Sequence, residues 1–414
     1  MIRLVHWLIV LTYCILPAAM LARGIYLFVR KGRRKPLPRF WIACFSGTVM
    51  GVLVSSLYAV QMQGKLIPSQ VLLAVYFACA LLLLLKGFDH LLWIVLRSAL
   101  RLRSSAGPSW WFGVRATTAM FVRAALLFGI GLPYILAVSL TYRPHIAFSE
   151  NPSTLFQRPF QRVNFSATDG VPRVGWWIPA VPRPGPPPPT VLICPGLAAT
   201  KATQLHLAVR LMQAGYNIFI FDFRGHGESG GELISFGDLE RRDVLGAVQW
   251  LQTTHPQACN KLVGLGVNTG AAALIAAAAD PGPQGQNIDA IAVYGTFDSL
   301  DSTLETIARN YIPQPLSWLV RHVGLPLASA QVGADLSSFS PATDVKALWP
   351  RPILVIHGLN DEIVNFQHGQ SLYDAAFQPK YDMWIKTGGH YDVIENDSAA
   401  REVRRYFDGS ARIL

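Results

Sequence analysis

The hydrophobic pattern of this 414-residue chain changes character once, near residue 143. Before that point it is dominated by four long apolar stretches, at roughly residues 4–29, 40–61, 70–96 and 118–141, each near or above the roughly 20 residues a helix needs to cross a bilayer. After it the apolar runs are short and alternate with segments of helical period. RVNFSATDGVPRVGWWIP reads as two strands joined by a hairpin turn at Asp169-Gly170. A Pro-rich connector over 181–189 cannot enter a central sheet. Then come strand TVLIC, a helix near 201–214, strand NIFIFDF, a helix near 238–253, strand KLVGLGV, a helix near 269–279 and strand AIAVYG. PILVIHG, a helix near 366–376, DMWIK and a helix near 396–407 complete the series. Continuous apolar strands alternating with helices predict an α/β class with a mainly parallel sheet covered on both faces.

Charge follows the same division. Residues 1–142 hold 15 Lys or Arg and a single acid, Asp89, while residues 143–414 hold 21 basic and 24 acidic groups. The whole net charge of +11 therefore belongs to the apolar third, where it reads as membrane topology, so a nucleic-acid partner is not expected. No Glu precedes Glu150. The expected organisation is an all-α region of four transmembrane helices over 1–142, a linker over 143–160 and an α/β domain over 161–414. The first apolar run is too long, and lacks the small-residue cleavage site, for a plain signal peptide.

Orientation follows from the connections. Arg30, Lys31, Arg33, Arg34, Lys35 and Arg39 fill the first, Arg97, Arg101, Arg103 and Arg115 the third, and only Lys65 the second. Basic connections stay in the cytoplasm, so four spans put the region after Tyr142 on the extracytoplasmic face, with the lipid bilayer as its first partner. Lys86, Asp89 and His90 interrupt the third run. They fit a span that ends early and continues as an interfacial helix, or an intramembrane proton path.

Five cysteines, Cys14, Cys44, Cys79, Cys194 and Cys259, show neither metal-ligand spacing nor a disulfide framework, and no metal or cofactor is expected. Three other blocks carry candidate chemistry. They are Asp222-Phe223-Arg224-Gly225-His226-Gly227-Glu228-Ser229, His357-Gly358-Leu359-Asn360-Asp361-Glu362-Ile363-Val364, and Gly388-Gly389-His390. Each directly follows a predicted strand, at the carboxyl end of the sheet where ligands gather. Asp361 and His390 suit a carboxylate that orients a histidine general base. His226 and Ser229 lie in a Gly-rich turn and read as structural.

In content, order and spacing these blocks resemble the α/β-hydrolase superfamily, in its serine aminopeptidase and monoacylglycerol-lipase-like branch, over roughly residues 155–410. The resemblance implies an α/β-hydrolase fold with a short lid insertion near 296–348, ester, amide or acyl hydrolysis, and a triad ending in Asp361 and His390. It places the oxyanion donors at the backbone N–H groups of Leu197 and Thr269. Here Cys194-Pro195-Gly196 stands where the family usually has a His-Gly pair, and Cys194 reads as a small buried residue.

The family's nucleophile elbow, G-x-S-x-G, corresponds to Gly266-Val267-Asn268-Thr269-Gly270, so Asn268 occupies the nucleophile position. Asn tolerates positive φ and can hold the elbow, but a carboxamide is a poor nucleophile. Four readings are open. The domain is a pseudoenzyme that binds a ligand or partner as a scaffold; or His390 and Asp361 activate water with Asn268 as a hydrogen-bond donor; or Thr269 attacks; or Asn268 is deamidated to a carboxylate nucleophile. The lid insertion carries Tyr311, Ile312, Leu316, Trp318, Leu319, Val320 and Leu325, either as a helix pair with its own core or as an apolar roof for an acyl or lipid-like molecule. The topology has a direct check. A reporter fused after Leu414 should be active only on the extracytoplasmic side, and a cytoplasmic signal would exclude four spans.

Overall fold

The computed structural model describes residues 149–182, 184–311, 318, 320–390 and 397–413, with isolated positions at 121, 137, 138, 140–142 and 145. The chain divides into two compact units, residues 1–127 and 128–414. The four apolar stretches fall almost wholly outside the described residues, within which no helix is long and apolar enough to cross a membrane.

The second unit opens with helix α1 (Pro152–Phe156), the hairpin β1 (Gln161–Ser166) and β2 (Pro172–Ile178), and β3 (Thr190–Cys194). Next come α2 (Leu205–Ala214), β4 (Asn217–Phe221), α3 (Arg241–Thr254), β5 (Leu262–Val267), α4 (Thr269–Ala278), α5 (Pro283–Gln286) and β6 (Ala290–Tyr294). The insertion follows as α6 (Leu300–Tyr311), α7 (Leu325–Val332) and α8 (Pro341–Asp344). Then β7 (Ile353–Gly358), α9 (Phe366–Ala375), β8 (Lys380–Ile385) and α10 (Asp397–Ile413) close the unit.

The eight strands form one sheet in the order β1-β2-β4-β3-β5-β6-β7-β8. Only the pairings of β2, with β1 and with β4, are antiparallel. Every residue of β3, β4, β5, β6 and β7 is buried, which is why these strands read as unbroken apolar runs rather than alternating ones. Their side chains divide by parity. Leu192, Phe219 and Phe221 face the layer of α3, α4 and α9, while Val191, Ile193, Val263 and Leu265 face that of α2 and α10. The insertion has a third cluster, in which Leu300, Leu304, Leu325, Ala328 and Phe339 pack with Ile234, Phe236 and with Ala272 and Ala276 of α4.

The limits of two helices depart furthest from the expectation. The helix foreseen near 201–214 begins only at Leu205, because Lys201 is held outside it, its N–H and ammonium both donating to Asp222 at the end of β4. The last helix runs to Ile413 rather than ending near 407. Asp408-Gly409-Ser410 reads as a breaker in sequence. In the fold, Asp408 accepts from the Tyr216 hydroxyl at 2.6 Å and Ser410 donates back to the Tyr406 carbonyl, so the segment stays helical.

Beneath the carboxyl end of the sheet lies a buried charge network. Asp243 of α3, fully buried, pairs with Arg173 of β2 at 2.9 Å and with Arg224 at 2.6 Å, and also accepts the Arg224 backbone N–H. Arg224 bridges on to Asp169 in the β1–β2 turn. Removing one partner from such a network strands buried charge, at a cost of about 3–5 kcal/mol. Asp243→Ala should therefore lower the unfolding free energy of the protein by about that amount in denaturant titration, and a change under 1 kcal/mol would show that the network contributes little.

Candidate active site

The elbow is built by the close approach of α4 to the strand ends. A Cβ on Gly270 would sit 2.1 Å from the Pro195 carbonyl oxygen and 2.3 Å from that of Cys194, and one on Gly266 would sit 2.4 Å from the Ala271 Cα. Only glycine fits at both positions. The Ala-rich face of α4, buried all round, lets the helix lie this near the sheet. Asn268, between β5 and α4, takes φ 50° and ψ −117° as the helix N-cap. Positive φ is rare for a residue with a Cβ and is tolerated best by Asn, Asp and His.

Asn268, Asp361 and His390 meet at this point. His390 Nδ1 lies 2.7 Å from Asp361 Oδ2, so the ring donates to the carboxylate there and its Nε2 is left as an acceptor. That Nε2 faces the Asn268 carboxamide nitrogen at 2.9 Å. The other end of the carboxamide, Oδ1, accepts the backbone N–H of Thr269 at 2.7 Å. The two contacts fix the amide's orientation, since a flip would set N–H against N–H. Asn268 thus engages the histidine with its donor and one of the two expected oxyanion N–H groups with its acceptor.

The second expected donor, Leu197, lies in the turn after β3. Its neighbour Gly196 is so near the elbow that a Cβ there would be 3.2 Å from the Asn268 Cβ. Among the described residues the Leu197 N–H has no acceptor. His226 supports this turn, accepting the Ala198 N–H on Nε2 at 3.2 Å while Nδ1–H donates to the Arg224 carbonyl at 2.8 Å. Ser229 accepts the Val174 N–H and donates to the Asp222 carbonyl. The block from Asp222 to Ser229 is therefore a clamp on the loop after β3, with Asp222 bonded to Lys201 and to the Glu228 N–H. Cys194 is fully buried, and burial pushes its thiol well above the usual range, so it is unreactive.

Asp361 is held by the turn after β7, its Oδ1 accepting the N–H groups of Ile363 and Val364 at 2.9 and 2.8 Å. His357 lies beneath it, fully buried, with Nε2 2.8 Å from the Val364 carbonyl and 3.6 Å from Asp361 Oδ2. Burial lowers its proton affinity, so it stays neutral and packs the carboxylate turn without competing for its charge. Two contributors escaped the sequence reading. The Tyr294 hydroxyl lies 2.9 Å from the carbonyl oxygens of both Gly389 and His390 and ties the histidine loop to β6. Gly295, directly after β6, lies under the triad, where a Cβ would be 3.8 Å from both Asp361 Oδ2 and His390 Cε1. Their sole sequence signal is the position Tyr-Gly at the end of a buried strand.

The fold of the α/β unit recurs in solved structures. An esterase of Pyrococcus furiosus, Pf2001, aligns with a TM-score of 0.53 at 20% identity, covering 66% of this chain and 98% of its own. This chain has the α/β-hydrolase fold. Residues 185–344 of the α/β-hydrolase unit match the model of the family described as serine aminopeptidase, S33, a stretch that contains Asn268 and stops short of Asp361 and His390. A protein of Escherichia coli O157:H7 described as uncharacterized protein YfhR is 28% identical over 238 residues, which is 57% of this chain and 75% of the relative. Uncharacterized protein Rv2307c of Mycobacterium tuberculosis is 27% identical over 245 residues, 59% of this chain and 77% of its own.

The elbow's packing can be tested without reference to activity. Ala is favoured over Gly in a helix by about 1 kcal/mol. Gly270→Ala should nonetheless destabilise the protein by about 1–3 kcal/mol in urea unfolding, because its methyl group has no room. A stabilised variant would show that α4 does not approach the loop after β3 so closely.

Proposed function

We propose that this is a site of the ester-, amide- or acyl-cleaving kind which, as encoded, recognises the carbonyl group of an acyl or lipid-like ligand without forming an acyl-enzyme. The observation that carries the reading is the position of the Asn268 carboxamide, with Nδ2 on His390 Nε2 and Oδ1 on the Thr269 N–H. A serine hydroxyl would use the histidine as its base. The carboxamide nitrogen has no comparable nucleophilic lone pair, and taking its proton gives no useful attacking atom. Direct hydrolysis of a bound ligand by water at His390 is less favoured, because it is the Asn268 amide, and not a ligand, that lies against Nε2. Thr269 is less favoured as a nucleophile, because Asn268 is the residue beside the histidine.

The apolar cluster that joins the insertion to the site supports a hydrophobic ligand. Leu197, Ile363 and Val364, which adjoin the oxyanion turn and the Asp361 turn, belong to the same cluster as Leu304, Leu325 and Phe339 of the insertion. In this reading the four apolar stretches anchor the protein as transmembrane helices, the α/β domain of residues 161–414 lies on the extracytoplasmic face, and the segment 296–348 roofs the pocket. The bilayer is then the natural source of the ligand.

Restoring the hydroxyl tests the reading. Asn268→Ser should react with a fluorophosphonate probe and hydrolyse short activated esters, and adding His390→Ala should reduce that gained activity by roughly 10⁴-fold or more. A folded Asn268→Ser protein that is inert to the probe would overturn the proposal.

A further inference from the structure

We infer that the site acts on itself, hydrolysing the side-chain amide of Asn268 to give aspartate at that position. The inference rests on the proposed function, in that it requires the His390, Asp361 and Thr269 machinery to be competent. Its support is the orientation of the amide rather than the mere presence of an asparagine. An acyl-cleaving site must present a carbonyl oxygen to backbone donors and place a histidine nitrogen beside the leaving group. The Asn268 carboxamide already meets both conditions, with its oxygen 2.7 Å from the Thr269 nitrogen and its leaving nitrogen 2.9 Å from His390 Nε2. The encoded residue lies as a bound amide substrate would, attached to the chain and held in place by the elbow.

The co-reactant is water. As the Nδ2–H bond to His390 Nε2 opens, the water oxygen adds to Cγ while one of its protons passes to that Nε2, and the carbonyl electron pair moves onto Oδ1, where the Thr269 N–H stabilises the negative charge. Asp361 stabilises the imidazolium through Nδ1–H, across the 2.7 Å contact. The Cγ–Nδ2 bond then breaks as the electron pair on Oδ1 returns, and the imidazolium gives its Nε2 proton to the departing nitrogen. Carboxamide and water become a carboxylic acid and ammonia, which exchange a proton to leave a carboxylate and ammonium. His390 returns to its starting tautomer, and no oxidant, metal or further group takes part. The product is a carboxylate at the tip of the elbow beside a histidine base, and a carboxylate there is a competent nucleophile toward an electrophilic carbon. The gene would then encode a dormant form that matures by losing ammonia.

The test is peptide mass spectrometry on the purified full-length protein, fresh and after prolonged incubation at neutral pH in water labelled with heavy oxygen. The peptide containing Asn268 should gain about one dalton from the exchange of amide for acid, plus the label, and carry only normally linked aspartate. Conversion should be lost in His390→Ala and Asp361→Asn, each checked for folding by circular dichroism, and in the wild-type chain held unfolded in urea. An isoaspartate product, or a rate that does not depend on His390, would assign the change to backbone cyclisation and overturn the inference. So would an unchanged Asn268 in folded protein. If Asn268 stays unchanged while Asn268→Ser reacts with the fluorophosphonate, the inference falls and the proposed function stands. If both fail, the machinery itself is not competent.

Discussion

The structure around the site depends on how closely α4 approaches the ends of β3 and β5. At Gly270 the helix backbone meets the carbonyl oxygens of Cys194 and Pro195 with no space for a methyl group, and at Gly266 the strand meets Ala271 in the same way. That approach forces the chain to turn sharply between Val267 and Thr269, puts Asn268 at positive φ, and sets its side chain above the sheet. The constraint is steric, so it does not depend on which side chain stands at residue 268. The backbone sets where that side chain points, and here it brings a carboxamide to the histidine and the Thr269 N–H at once.

Around that elbow, each neighbouring loop is fixed by polar contacts that belong to the scaffold rather than to chemistry. The Asp222 to Ser229 block bonds to Lys201, Ala198 and Val174, and so holds the turn that carries Leu197. Tyr294 holds the His390 loop, and the N–H groups of Ile363 and Val364 hold the Asp361 carboxylate. These supports come from β4, β6 and β7, strands that lie on both sides of the elbow strand. Arg173, Asp243 and Arg224 then tie β2 and α3 to the same end of the sheet. Their mutual pairing offsets part of the electrostatic cost of burying these charges.

The insertion is joined to the elbow by packing. Its apolar residues pack on α4 through Ala272 and Ala276, and on Leu197 and Ile363 in the turns after β3 and β7, so that the insertion and the elbow helix share one hydrophobic cluster. Val320 and Leu325 are buried, whereas Trp318 is exposed and stacks on His322. Among the described side chains of this segment some thus pack as core and Trp318 faces solvent, while Ile312, Leu316 and Leu319 lie outside the described residues.

Much of the α/β unit was legible from sequence because its signals are local. Buried strands on a doubly covered sheet read as unbroken apolar runs, the paired glycines of the elbow mark a close approach, and the positions of Asp222, Asp361 and His390 after β4, β7 and β8 mark one end of the sheet. The composition and charge asymmetry of residues 1–142, and the membrane reading built on them, likewise come from sequence alone. What tertiary structure decided was non-local. Only the fold shows that His226 serves the Ala198 turn, that Tyr294 anchors a loop some 95 residues away, and that α10 continues through Asp408 to Ser410 because Tyr216 pairs with it. Sequence could name Asn268 as the residue in the nucleophile position, but not which way its amide points. That orientation follows from two hydrogen bonds, one to the next residue and one across 122 positions of chain, and no local pattern encodes the second.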